Sequence, residues 1–295
     1  MQSSAKLYRS SLGYSLAMEQ YDAAIKDSPV RLQQRYFKTS FGETHVLSAG
    51  LESAPPLILL HGWNGNAAGA CNDFPFLFRT YHVFAPDIIG HSGRSAPSRP
   101  PTAGTAYADW LLDVLDSLRL PVVRLVGISG GGWLALKLAG RASGRAHSVA
   151  AISTDGLSKL RILPMALSRA AIAPLYPTPT TVRWFVELIT SPNGRRPEPF
   201  ERFARGFLPI LKHFKTQRNP GLITDEELAR ITSPTLLLFG REECFFDPLK
   251  SINRAKRLIP GLAAAEIVAN AGHAITVDQP EILELRISRF LEHGV

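Results

Sequence analysis

Cysteine is scarce in this 295-residue sequence, and long apolar runs are missing. Its two cysteines, Cys71 and Cys244, lack C-x-x-C spacing. Two such thiols do not make a metal site, so we expect reduced thiols in a cytoplasmic protein, without metal. No apolar run approaches the ~18 residues that a membrane span needs, and no signal-peptide cleavage site stands out. The sequence therefore predicts a protein without a membrane span.

Blocks of like charge are also absent, although the net charge is +8. No run of Lys or Arg exceeds two residues, and no nucleic-acid recognition motif accompanies the basic balance, so we expect no nucleic-acid partner. Between Ser158 and Arg230 stand twelve basic and six acidic side chains. This one region therefore carries six of the eight net positive charges.

Alternating apolar and helical stretches fill the first half of the chain. A helix is predicted near 15–26, and a hairpin follows with Phe41-Gly42 near its turn. Four short apolar segments, separated by helical stretches, then read as strands at 56–60, 82–87, 122–128 and 147–153. Continuous apolar strands that alternate with helices predict an α/β protein with a parallel sheet covered on both faces.

The alternation stops at about residue 157 and returns after Ser233-Pro234, in TLLLFG and AEIVANAG. Between these points prolines cluster and helical pieces dominate. We therefore predict three parts: an N-terminal helical extension at 1–30, a core domain at 31–156 and 231–295, and a helical cap, or lid, at 157–230.

A glycine-rich turn follows the third of these strands and reads Gly127-Ile128-Ser129-Gly130-Gly131. A phosphate-binding P-loop is excluded because Trp133 occupies the place of its lysine. A dinucleotide loop fits only in a register that begins after the strand has already turned. The pattern G-x-S-x-G fits better, because it lies between a strand and a helix. A simple tight corner is the alternative interpretation.

Nucleophile chemistry explains these glycines. A serine at the tip of a sharp strand-to-helix turn adopts an unfavourable backbone conformation, and side chains two positions to either side would clash. The turn lifts the Ser129 hydroxyl above the sheet and aims the Gly130 N–H at a developing oxyanion. The second oxyanion donor should come from the loop HGWNG after the first strand, where Trp63 N–H is our choice.

A serine nucleophile needs a base and an acid that orients the base, in the chain order Ser, acid, His. We select His273, in the loop NAGHAI, as the base. The acid is open between several residues. Glu243 is favoured, Asp247 follows because it looks more like a helix N-cap, and Glu242 and the earlier Asp155 come last.

These motifs together resemble the α/β-hydrolase fold superfamily, and within it bacterial carboxylesterase-like serine hydrolases. The resemblance runs from about residue 35 to the end, in LLHGWNG, APDIIGHSGRS, the serine turn, SPTLLLFGREE and NAGHAITVDQPE. It implies an eight-stranded, mostly parallel sheet with a helical lid between strands six and seven. It also implies a Ser-acid-His triad that needs no cofactor.

Two positions depart from the common pattern of these relatives. Many carry His before the nucleophile, where this chain has Ile128, and most use Asp where this chain has Glu243. Both variants occur in bacterial esterase-like members. Relatives with an aspartate nucleophile, such as dehalogenases and epoxide hydrolases, are disfavoured because position 129 is serine.

The resulting expectation is a serine hydrolase that cleaves an ester of a small-molecule acyl substrate, apolar or anionic. Two alternatives share the same scaffold: a C–C bond hydrolase or perhydrolase-like enzyme, and a non-catalytic ligand receptor. The oligomeric state is open, a homodimer included. Aromatic residues of the lid could line an acyl pocket, although lid packing is their commoner role: Trp184, Phe185, Phe200, Phe203, Phe207 and Phe214.

Overall fold

A computed structural model describes residues 4–161 and 168–294. Its eight strands are β1 (Gln33–Thr39), β2 (Gly42–Ala49), β3 (Pro56–Leu60), β4 (His82–Pro86), β5 (Val123–Ile128), β6 (Ala146–Ile152), β7 (Thr235–Gly240) and β8 (Leu262–Val268). The four strands predicted in the first half of the sequence correspond to β3, β4, β5 and β6.

All eight strands form one sheet, in the order β1-β2-β4-β3-β5-β6-β7-β8. The hairpin β1–β2 is antiparallel, with its turn at Ser40-Phe41, one residue before the predicted Phe41-Gly42, and β2 also pairs antiparallel with β4. Every pairing from β4 through β8 is parallel. The prediction of an eight-stranded, mostly parallel sheet is confirmed.

Helices connect and cover these strands. They are α1 (Ser11–Lys26), α2 (Ala67–Asp73), α3 (Ala106–Ser117), α4 (Gly130–Arg141), α5 (Pro179–Ile189), α6 (Pro197–His213), α7 (Asp225–Ala229), α8 (Pro248–Leu258), α9 (Ile275–Asp278) and α10 (Pro280–His293). None of the helices in the described part of the chain is long and apolar enough to cross a membrane.

Both faces of the sheet are buried, which explains why the central strands are apolar without alternation. Consecutive side chains of a strand point to opposite faces. In β3, Ile58 and Leu60 join the apolar cluster on one face, while Leu57 and Leu59 join the cluster on the other. All four side chains are fully buried. The sheet is therefore a rigid platform whose carboxyl edge is free to carry loops.

The described part of the segment 157–230 between β6 and β7, which we call the insertion, contains the long helices α5 and α6 and the short helix α7. Helices α5 and α6 form its centre. They pack on one another around their own small apolar cluster, which includes Val186, Phe200 and Ala204. The insertion has the same bounds as the lid predicted from the sequence. Its residues 162–167 lie outside the described residues.

The N-terminal segment reaches across the molecule to the end of α6, a contact that the sequence did not predict. Tyr8 forms a β-bridge with Phe214, and both side chains are buried. The N–H of Arg9 donates to the carbonyl of His213 (2.8 Å), and the N–H of Lys215 donates to that of Leu7 (2.8 Å). Backbone hydrogen bonds thus join the N-terminal segment to the insertion.

Candidate active site

The turn between β5 and α4 holds Ser129 in a strained conformation, with φ +53° and ψ −122°. A non-glycine residue adopts such angles only where its surroundings impose them. A Cβ at Gly127 would overlap the carbonyl of Gly131, and a Cβ at Gly131 would overlap the carbonyl of Leu60. A side chain on either side of the serine would therefore clash, as the sequence predicted. Glycine at both positions lets strand and helix approach closely enough to form the sharp turn.

A chain of hydrogen bonds runs from this serine to a buried carboxylate. Ser129 Oγ lies 3.1 Å from His273 Nε2, and His273 Nδ1 lies 2.7 Å from Glu243 Oε2. The second oxygen of Glu243 accepts from the N–H of Phe245 (2.8 Å), and its side chain is fully buried. The three residues stand in the loops after β5, β8 and β7, because parallel strands bring their carboxyl ends to one edge.

Opposing effects set the pKa of His273. Burial on its own would lower this pKa, but the charge and hydrogen bond of Glu243, together with the charge of Asp155, outweigh it. The net result is a pKa above the usual 6.5. The site therefore favours the imidazolium, the form that His273 takes after it accepts a proton.

The other acids considered from the sequence have other hydrogen-bond partners. Asp247 accepts from the N–H of Lys250 (3.0 Å) and so caps α8, as its position beside Pro248 predicted. Glu242 donates its backbone N–H to the carbonyl of Ala271. Asp155 contacts Ser129 rather than His273. Among these four acids, only Glu243 is hydrogen-bonded to the histidine.

The proposed oxyanion donors are neighbours. A Cβ on Gly130 would overlap the side chain of Trp63, and a Cβ on Gly62 would lie 3.6 Å from Ser129 Cβ. The indole Nε1 of Trp63 donates to the carbonyl of Arg218 (2.7 Å). The loop that carries Trp63 thus lies against both the serine turn and the insertion.

Side chains that the sequence reasoning missed hold this loop in place. His61 Nε2 accepts from the N–H of Ile88 (2.9 Å), and burial lowers the pKa of His61, so its imidazole is neutral. Asn64 donates to the carbonyl of Gln217 (3.2 Å) and accepts from its N–H (2.7 Å). The Asn64 backbone has φ +64°, which asparagine tolerates better than most residues.

The loop of His273 is fixed by another missed residue, Asp278. One oxygen of its buried carboxylate accepts from the N–H of Gly272 (2.8 Å) and from that of Ser191 (2.7 Å). Gly272 precedes the histidine, and Ser191 follows α5 of the insertion. Its only sequence signal was its place in the motif AGHAITVDQPE, because both partners are backbone groups.

A cavity of about 930 Å³ opens beside the serine and the histidine. Of the six lid aromatics named from the sequence, Phe185, Phe203 and Phe207 line it, in a stacked series with ring centroids 5.3 and 5.7 Å apart. Phe245, which also lines it, lies edge-on to His273 at 4.8 Å. The other three have packing roles: Trp184 against Arg169, Phe200 in the core of the insertion and Phe214 against Tyr8.

Charged residues stand in the wall of this cavity. Burial raises the pKa of two aspartates, Asp73 and Asp155, to about 7 each. Among the described residues no cluster of His, Cys, Asp and Glu has the form of a metal site. The basic residues that line the cavity are exposed: Lys159, Arg161, Arg202 and Arg218.

The chain belongs to the α/β-hydrolase fold family, whose sequence pattern matches residues 55–280. Within it, the chain is an enzyme similar to bacterial carboxylesterases over nine-tenths of its length. It is 32% identical to the uncharacterized carboxylesterase nap of Bacillus subtilis (strain 168), over 92% of this chain and 90% of that protein. The fold and family expected from the sequence are confirmed.

Two crystal structures of Bacillus subtilis proteins share the fold over nearly their whole length. Carboxylesterase CesB (YbfK) of Bacillus subtilis superposes with a TM-score of 0.82 at 28% identity, covering 96% of this chain and all of that one. Naproxen esterase (carboxylesterase NP) of Bacillus subtilis gives 0.80 at 29% identity, covering 95% and 97%.

Proposed function

We propose that the chain is a serine carboxylesterase that works through an acyl-enzyme, with Ser129, His273 and Glu243 as its triad. The observation that carries the proposal is the hydrogen-bond chain from Ser129 Oγ through His273 to the buried Glu243. The strained conformation of Ser129 supports it, because strain of this kind is kept where it presents a functional group.

The mechanism follows from these positions. His273 Nε2 takes the hydroxyl proton as Ser129 Oγ bonds to the ester carbonyl carbon, and Glu243 stabilises the resulting imidazolium. The carbonyl oxygen becomes an oxyanion, which accepts from the N–H groups of Trp63 and Gly130. The imidazolium then protonates the departing alcohol and leaves an acyl-serine. A water that His273 deprotonates cleaves this acyl-serine by the same steps.

We propose that the acyl group of the substrate is apolar and contains an aromatic ring. The stacked Phe185, Phe207 and Phe203, with Phe245 against the histidine, give the cavity an aromatic wall beside the reacting atoms. A similar protein is named naproxen esterase, which fits an aromatic acyl group. The exposed basic residues would also suit an anionic ester, and this alternative stays a prediction.

A fluorophosphonate probe tests the triad, because it labels only a serine that a base has activated. We expect one adduct, mapped to the peptide of Ser129, in the wild type and none in Ser129→Ala. The exposed Ser53→Ala is the matched control and should label like the wild type. A folded wild-type protein that takes no label would overturn the proposal and favour the non-catalytic receptor.

A further inference from the structure

A second carboxyl group reaches the nucleophile from outside the proposed triad. Asp155 follows β6, is only 1% exposed, and places Oδ2 3.4 Å from Ser129 Oγ. Glu243 binds the Nδ1 side of the imidazole, whereas Asp155 stands at the serine, which contacts Nε2. The Ser129–His273 pair therefore has one buried carboxyl group at each end.

The other oxygen of Asp155 is also bound. Asn219 Nδ2 donates to Asp155 Oδ1 (3.3 Å). Asn219 belongs to the end of the insertion, where the neighbouring Arg218 carbonyl accepts from Trp63 Nε1 (2.7 Å). The loop of the proposed oxyanion donor and the carboxyl group beside the nucleophile are thus held by adjacent residues of one loop.

Charge couples Asp155 to the histidine. The negative charge of Asp155 raises the pKa of His273, in addition to the larger effect of Glu243. In return, burial raises the pKa of Asp155 to about 7, and His273 acts against this rise. The titratable groups that face Asp155 are His273 from the loop after β8 and Glu243 from the loop after β7; Asn219 from the insertion is neutral. Other charged residues line the same cavity: Asp73, Lys159, Arg161, Arg202 and Arg218.

We propose that Asp155 is a further catalytic residue, whose carboxylate contacts the Ser129 hydroxyl and stabilises the imidazolium of His273 as that hydroxyl loses its proton. The proposal rests on the proposed function. Asp155 itself neither gains nor loses a proton in this step: the hydroxyl proton moves from Ser129 Oγ to His273 Nε2 while the Oγ–carbon bond forms. The carboxylate acts by its charge, at close range and in a buried site where such a charge is poorly screened.

Asp155→Asn tests the role of the charge, because the amide has the same shape and can keep both hydrogen bonds. With p-nitrophenyl butyrate as substrate, we expect kcat to fall roughly 10–100-fold with little change in KM. In the wild type the acid limb of the kcat/KM profile reports His273 and Asp155 together, because Asp155, with a pKa of about 7, is coupled by charge to the histidine. Loss of a nearby negative charge favours neutral histidine, so the limb should move down by about 0.5–1 pH unit.

Two further variants separate charge from shape. Asp247→Asn removes a carboxylate from the neighbouring loop and keeps a capping side chain for α8, so it should leave the limb in place. Asp155→Glu keeps the charge and should also leave the limb at its wild-type position, even if Asp155→Asn does not fold. The proposal would be contradicted if Asp155→Glu moved the acid limb down by as much as we expect for Asp155→Asn.

The labelling experiment keeps the two proposals apart. If the wild type is labelled at Ser129 and Asp155→Asn retains both its kcat and its acid limb, Asp155 has a structural role only and the esterase mechanism stands. If the wild type is not labelled, the triad itself fails and Asp155 has no imidazolium to stabilise.

Discussion

At the residue scale, the proposed triad acid Glu243 differs from the aspartate that most relatives use. Its contribution to kcat can be measured. In Glu243→Gln the amide can donate to His273 Nδ1, which leaves the proton on Nε2 and removes the acceptor that Ser129 needs. We expect kcat for p-nitrophenyl butyrate to fall about 10²–10⁴-fold, with KM changed much less.

Glu242→Gln is the matched control for this change. It removes a carboxylate one position away that forms no hydrogen bond with His273, so kcat should stay within a few-fold of the wild type. Equal losses in the two variants would mean that Glu243 does not orient the histidine.

The sequence could predict the positions of Ser129 and His273, because each stands in a local pattern beside a strand that ends at the same edge. It could also rank Glu243 first, from its distance after the strand. It could not predict that Asp155 meets the serine or that Asp278 holds the histidine loop. Asp155 also accepts from Asn219, and Asp278 joins the histidine loop to Ser191. Asn219 and Ser191 both belong to the insertion, and their placement follows from how the insertion packs and not from spacing along the chain.

At the scale of elements, the approach of α4 to β3 depends on Gly131. A methyl group there would overlap the Leu60 carbonyl, so Gly131→Ala must push the helix away from the sheet. We expect a loss of about 1–3 kcal/mol in the free energy of unfolding, measured by urea denaturation. Gly144→Ala, where a Cβ would have no neighbour within 4 Å, should change stability by less than about 0.5 kcal/mol. A similar loss in both variants would contradict this account.

Strands made of continuous apolar runs were predictable from the sequence, whereas the exact start of a helix and contacts between distant segments were not. Strands β3 to β7 fell within one residue of their predicted bounds, because a continuous apolar run must be buried. Strand β8 begins three residues before the predicted segment AEIVANAG and ends four residues before its end. Helix α1 begins at Ser11 rather than near Ser15, since Ser10 accepts from the N–H of Gly13 and caps it earlier. The contact between the N-terminal segment and α6 had no sequence signal, because it joins backbone groups about two hundred residues apart.

At the scale of the whole molecule, the cavity makes stability depend on pH. Burial raises the pKa of Asp73 to about 7, far above its value near 4 in the unfolded chain. Between these values the folded state binds a proton that the unfolded state lacks, so this group makes stability fall as pH rises from about 4 to about 7. Asp73→Asn should therefore be more stable than the wild type at pH 8, by about 1–2 kcal/mol, and little changed near pH 4.

Urea unfolding at both pH values measures this difference. The exposed Asp27→Asn is the control and should show no such pH-dependent gain. If Asp73→Asn is no more stable than the wild type at pH 8, ionisation of Asp73 does not destabilise the folded protein and this account is wrong.

The bridge between Tyr8 and Phe214 has a consequence for the synthesis of the protein on the ribosome. The N-terminal segment is synthesised about two hundred residues before its partners His213, Phe214 and Lys215. At 5–20 residues per second this interval lasts roughly 10–40 s. During synthesis Tyr8 is therefore without its partner, so the nascent chain offers a chaperone an apolar site that the finished enzyme conceals.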